Sequence, residues 1–277
     1  MPEGTLMRKL PRVTLIFWIM KIAATTLGET GGDLLAQTLK IGYLVSSCLF
    51  LAIFAVSVVL QLKATKFHPA LYWAVITATS TAGTTISDFM NRSAGLGYAK
   101  GALVLITCLA IVFVVWRISG QTLDVENIAT FKGELLYWIA ILFSNTLGTS
   151  SGDFLADNTG LGFRGGALVI TAVMLLIIAA HYLTPISGTL LFWVAFILTR
   201  PLGATAGDSL SKPREQGGLE LGTMGTSAVL AGLLIALVVY QIVSMQRQQA
   251  HVAHRRASAP IDSGDAFVQE GRQRPRS

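Results

Sequence analysis

Charge is scarce in this chain. Only 13% of its 277 residues are Asp, Glu, Lys or Arg, while 52% are hydrophobic and the mean hydropathy is +0.60. An average soluble domain carries roughly 25% charged residues, so a sizeable soluble domain is excluded and a multi-pass membrane protein is expected. Cysteine is scarcer still. Cys48 and Cys108 both fall inside apolar runs, which excludes a disulfide framework and a zinc site. The four histidines are scattered: His68 and His181 near segment ends, His251 and His254 in a polar tail. The chain has no His-rich cluster and no phosphate loop, so no enzymatic activity and no cofactor are expected. The net charge of +6 is no nucleic-acid signal, because the basic residues sit mostly at segment ends, where anionic lipid and the positive-inside rule account for them.

What is present is long apolar sequence. Eight runs stand out, at about 12–35, 41–62, 69–91, 99–117, 133–156, 164–183, 187–209 and 222–245. A crossing needs ~20 residues of helix, and backbone at that depth must satisfy its own polar groups. The runs are too uniformly apolar for barrel strands, so the expected fold is all-α and transmembrane, with eight helices. The first run, behind Arg8, Lys9 and Arg12, reads as a spanning helix and not as a cleaved signal, because it carries the same pattern as three later runs.

That pattern is an internal repeat. Trp18, Trp73, Trp138 and Trp193 are each followed fifteen residues later by Asp33, Asp88, Asp153 and Asp208, with Gly28, Gly83, Gly148 and Gly203 at one offset between them. The four tryptophans read as interfacial anchors. Their separations of 55, 65 and 55 residues indicate two successive duplications. The expected architecture is four tandem helical hairpins, at 12–65, 66–120, 131–184 and 185–245, forming a single transmembrane domain at 12–245. Two helices per repeat set all four the same way up, parallel and pseudo-symmetric about the membrane normal. The polar segment 246–277 reads as a disordered cytoplasmic tail. Basic residues on the terminal side (Lys63, Lys66, Arg117, Lys132, Arg247 and the N-terminal three) modestly outweigh those on the turn side (Lys40, Arg92, Lys100, Arg164, Lys212, Arg214). Both termini are therefore expected in the cytoplasm.

Counting from each Trp, polar residues recur at +8, +11, +12 and +15, one face of a helix. They are Thr26, Glu29, Thr30 and Asp33; Thr81, Thr84, Thr85 and Asp88; and Thr146, Thr149, Ser150 and Asp153. Thr25, Ser80 and Asn145 flank the stripe at +7. Beside it run small residues four apart, Gly28 and Gly32, Gly83 and Ser87, Gly148 and Gly152, Gly203 and Gly207. These suit close helix packing, with the odd helices central and the even ones outside. The fourth repeat lacks most hydroxyls and carries Arg200 and Pro201, the latter expected to bend its helix. Glu29 and the four Asp face two internal cations, Lys21 and Arg200, both read as counter-ions, which leaves a net charge of −3. Carboxylates inside a membrane are costly and mark pathways, although an Asp at a helix end can equally cap the next turn.

The segments Thr-Leu-Gly-Glu-Thr-Gly-Gly-Asp (26–33), Thr-Ala-Gly-Thr-Thr-Ile-Ser-Asp (81–88), Thr-Leu-Gly-Thr-Ser-Ser-Gly-Asp (146–153) and Pro-Leu-Gly-Ala-Thr-Ala-Gly-Asp (201–208), each behind its Trp, carry a resemblance. Over about 12–245 the chain resembles bacterial multi-spanning inner-membrane proteins built from four copies of a two-helix repeat of unknown function. The resemblance implies a topology and a bacterial inner-membrane location, and no activity. Glu29-Thr30-Gly31-Gly32-Asp33 is also similar in chemistry to the Glu-x-Gly-Asp of cation exchangers, one residue longer and without the basic residue that follows there.

The residues together suggest a transporter for a small cation, with a divalent metal and proton coupling both compatible with oxygen-only ligands. Glu29, Asp33, Asp88, Asp153 and Asp208 would bind the substrate, the first four as metal ligands, and Thr30, Thr85 and Ser150 would add neutral oxygens. The alternative is a structural or regulatory membrane protein with no substrate. Lipid and a small cation or proton are the expected partners, nucleic acid is not, and a homo-oligomer fits the pattern equally well.

Overall fold

A computed structural model describes residues 10–11, 13–128, 130–216 and 218–257. Eight α-helices run α1 Leu15–Asp33, α2 Tyr43–Lys63, α3 Pro69–Asp88, α4 Tyr98–Ile118, α5 Phe131–Asp153, α6 Gly162–Leu183, α7 Gly188–Ser211 and α8 Thr223–Ala257, with no strand among the described residues. Local chemistry sets their starts. Thr14 and Thr130 cap α1 and α5 by accepting from the amides of Phe17 (3.3 Å) and Gly133 (3.0 Å), and Pro69 opens α3 where no donor is needed. Five helices, α2, α4, α6, α7 and α8, are long and apolar enough to cross a membrane. Helices α1, α3 and α5 carry the hydroxyl stripes.

Directly after Asp33, Asp88 and Asp153 the backbone widens into a π-helical turn, at Leu34–Thr38, Phe89–Ser93 and Phe154–Asn158. Such turns are rare and gather at functional sites. The chain then reverses through glycines in the left-handed region, Gly42 (φ 85°), Gly97 (φ 75°) and Gly162 (φ 64°), where an L side chain would be strained. Repeat four has no π turn. There α7 runs through Pro201, with no interruption, to Ser211.

Residues up to Val238 form one compact unit, and the remainder of α8 forms a second. Within the first unit the odd helices close a four-membered ring, α1 on α3, α3 on α5, α5 on α7 and α7 on α1. The +10 glycines make this possible. A Cβ on Gly28 would collide with Ser80, on Gly148 with Arg200 and on Gly203 with Thr25, while on Gly83 it would lie 2.9 Å from Asn145. In every case the partner is the +7 residue of the next repeat, and Gly203 against Thr25 closes the circle.

The two helices of one repeat hardly pack on each other. Three even helices lie instead against the odd helix of the following repeat, α2 on α3, α4 on α5 and α6 on α7. The hairpin is thus a connection in sequence more than a packing unit.

Two expectations are corrected here. Three of the four tryptophans are core residues, not interfacial anchors: Trp73, Trp138 and Trp193 are buried, and Trp18 is half-buried against the same core. Each packs with the aromatic that precedes the Trp of the repeat before it, Phe17 on Trp73 (5.8 Å between ring centroids), Tyr72 on Trp138 (5.7 Å), Tyr137 on Trp193 (6.0 Å) and Phe192 on Trp18 (5.7 Å). Wide rings fill the space where four helices meet. The tail expected to be disordered from 246 is helical as far as Ala257, because Gln, Arg and Ala favour helix and extend α8; residues 258–277 lie outside the described part. Cys48 is exposed on α2.

Candidate functional site

Side chains on the ring axis recur every four residues, at −1, +3, +7, +11, +15 and +19 from each Trp. Rows of residues four apart are one of the natural ridges of a helix surface. The first layer is Phe17, Tyr72, Tyr137 and Phe192, in which the two tyrosine hydroxyls meet at 2.7 Å. Lys21, Ile76, Ile141 and Phe196 form the second, all buried, with the Lys21 ammonium 4.0 Å from the centre of the Phe196 ring.

Arg200 dominates the third layer. Its guanidinium, fully buried, donates from Nε to the carbonyl of Asn145 (3.2 Å), from Nη1 to that of Thr25 (2.8 Å) and from Nη2 to that of Ser80 (3.0 Å). Those three residues are the +7 positions of the other three repeats. One side chain thereby ties α7 to every other helix of the ring. Nη2 also donates to Thr84 Oγ1 and to Thr149 Oγ1 (2.8 Å) and lies 3.3 Å from Glu29 Oε2. Glu29 belongs to the fourth layer, where the same oxygen accepts from Thr84 (3.2 Å) and Thr149 (3.1 Å). A fully buried carboxylate is tolerable only with such a complete set of donors.

The fifth layer is the four Asp, each at most 2% exposed. They converge, and two cations pair them off. Arg92 reaches Asp88 through Nε (3.0 Å) and Asp153 through Nη2 (3.3 Å). The Lys212 ammonium lies 2.5 Å from Asp33 and 3.6 Å from Asp208. Glu29, Asp33 and Asp208 bring carboxylate oxygens within 4.8 Å of one another, an arrangement able to hold a metal ion. The sixth layer is Gln37, Arg92, Asp157 and Lys212. Gln37 donates to Asp33 and accepts from Lys212 (3.3 Å). These four residues, with Ala156, Gly162, Phe163 and Pro213, line a cavity of about 660 Å³ that opens on the turn side. Burial pulls the Lys212 ammonium down, but Asp208 and Asp33 more than reverse this and hold its pKa above the ordinary lysine range. Its ammonium therefore stays charged at neutral pH and gives up its proton only as pH rises through that elevated value.

Several sequence expectations change. The five acids do gather on the axis, and Arg200 is the counter-ion of Glu29. Lys21 is no counter-ion: its ammonium has neither an acidic partner nor a hydrogen bond among the described residues. Arg92 and Lys212, read from sequence as turn-side charges, are the real partners of the Asp layer. With Lys21 and Arg200 they set four cations against the five acids and Asp157 of their own layer, so the axis carries −2 in place of the expected −3. The neutral oxygens also differ. Thr30 pairs with Ser227 (2.9 Å), Thr85 bonds carbonyls of its own helix, and Ser150 pairs with Ser87 (2.8 Å) and Asn91 (2.7 Å) between α3 and α5. The axis follows +7, +11 and +15, so +8 and +12 turn aside, and Thr84 and Thr149 supply the hydroxyls in place of Thr85 and Ser150. The repeat pattern does not mark the +19 layer, although Arg92 and Lys212 stand four residues after an Asp, the spacing of a helical ion pair.

The fold and site define an all-α transmembrane protein of four tandem repeats enclosing a buried acid layer. The family described as Repeat of Unknown Function (DUF347) matches residues 16–67, 71–122, 136–187 and 191–247, and the chain belongs to that family. No curated protein and no solved structure matches it.

Proposed function

We propose that the protein is a secondary transporter of a small cation across a bacterial inner membrane, with both termini in the cytoplasm and the cavity facing outward. The observation that carries this reading is the gathering of Glu29, Asp33, Asp88, Asp153 and Asp208 on one axis, directly beneath an open cavity. Intramembrane acids grouped in this way are expensive and serve ion or proton pathways. The cavity admits the cation, the acid layer exchanges it against the internal cations or a proton, and Arg200 with the aromatic layers closes the opposite half in this state. The ligand oxygens are carboxylates and hydroxyls, which suit hard ions.

The pairing of all four Asp by Arg92 and Lys212 favours a second reading, a sealed scaffold without a substrate. An ion-flux panel in proteoliposomes decides between them. Wild type is expected to move at least one cation, with Asp33→Asn and Glu29→Gln impaired. Unaltered flux in both variants removes these residues from the mechanism, and no flux for any cation favours the scaffold.

A further inference from the structure

The acid layer is two pairs, and the pairs are not equivalent. We infer that the Asp88–Asp153 half is a permanent clamp, whereas Asp33, Asp208 and Glu29 form the seat of a divalent, oxygen-seeking cation for which the Lys212 ammonium stands in. This deepens the transport reading by naming the half of the axis that works and the class of ion it takes.

The first ground is occupancy: a cation already lies between Asp33 and Asp208, at 2.5 and 3.6 Å. The second is the third oxygen. Among the +11 residues only Glu29 is acidic, the others being Thr84, Thr149 and Ala204, and it sits on this side of the layer within 4.8 Å of both Asp. The third is a weakly held acceptor: Asp208 Oδ1 is buried and takes no hydrogen bond, the Lys212 ammonium standing 3.6 Å from it.

The two bridging cations also differ in kind. Arg92 spans its pair with two separate nitrogens of a rigid fork, the geometry of a fixed bridge. Lys212 is a point charge on a flexible stem and lies beyond the end of α7 in extended backbone (φ −73°, ψ 158°). Both cations line the 660 Å³ cavity, but Lys212 bridges its pair through one nitrogen and can withdraw into that space without giving up a two-point fork. Charge then selects the ion. Glu29, Asp33 and Asp208 carry −3, and Arg200 on Glu29 leaves −2 once Lys212 has gone. A single divalent cation balances that.

The test titrates Mn²⁺ into the purified full-length protein in detergent and reads the free ion by electron paramagnetic resonance. K212Q is expected to bind at least about tenfold tighter than wild type, roughly 1.4 kcal/mol, because the tethered competitor is gone. K212R, which installs the fixed bridge, binds at least about tenfold weaker than wild type. Adding D33N to K212Q removes the gain, and R92Q gives none. Equal affinity across the Lys212 series, no Mn²⁺ bound by any variant, or a gain in R92Q matching that in K212Q overturns the assignment. If R92Q does not fold, the Lys212 series decides alone. A flat series with cation flux in proteoliposomes sinks the seat and spares transport, whereas a graded series without flux spares the seat and sinks transport.

Discussion

Arg200 shows how much one residue can carry when it is buried and fully partnered. Its three nitrogens lie within reach of three backbone carbonyls, two hydroxyls and a carboxylate on three different helices. Arg200→Met leaves those acceptors and Glu29 without their partner, and losing one member of a buried pair costs about 3–5 kcal/mol. Glu29→Gln should cost less, because a neutral amide can still accept from Thr84, Thr149 and Arg200. Thermal unfolding in detergent is expected to rank R200M well below E29Q; the reverse order would contradict the geometry. From sequence, Arg200 was legible as an internal counter-ion but not as a tie between repeats. Its anchoring partners are main-chain oxygens, which every residue possesses and no motif displays.

At the scale of the element, the glycines separate cleanly into those that touch and those that do not. A Cβ at Gly148 enters the Arg200 side chain, whereas Gly31, on the same kind of helix, has nothing within 4 Å. Gly148→Ala is expected to destabilise by ~1–3 kcal/mol through overpacking. Gly31→Ala should be neutral or slightly stabilising, within about 1 kcal/mol, because alanine favours helix. Comparing the two melting temperatures checks the pair. The Gly spacing was readable in advance; the exact line facing the axis was not. A stripe at +8, +11, +12 and +15 and a row at +7, +11 and +15 share a helix face, and only the crossing of neighbouring helices chooses between them. The π-helical turns escaped for a related reason. They continue each helix by a turn past its Asp, aiming Gln37, Arg92 and Asp157 back toward the axis, and the residues 34–38, 89–93 and 154–158 share no motif that announces it.

For the whole molecule, the axis opens into a cavity at one end and is filled by buried side chains further along. Single cysteines at Gln37 and Asp157, which line the cavity, should react with a membrane-impermeant maleimide applied from the turn side, and cysteines at the buried Ile76 and Ile141 should be protected. Labelling of the latter pair from either side would mean a continuous water path through the +3 layer. The number of helices, the repeat and the central place of the odd helices were all legible, because hydropathy and a fifteen-residue register survive in one sequence. Which helix packs on which was not, since the two members of a repeat are neighbours along the chain and near strangers in the fold.

That handing-on of contacts from one repeat to the next has a bearing on biosynthesis. While the ribosome is still making the fourth repeat, α1 and α5 each lack a neighbour, and the carbonyls at Thr25, Ser80 and Asn145 still await the guanidinium that joins them. A nascent chain therefore stays unlocked until residue 200 emerges. A truncation anywhere before that point yields inserted helices with polar edges on show, a ready target for membrane proteases.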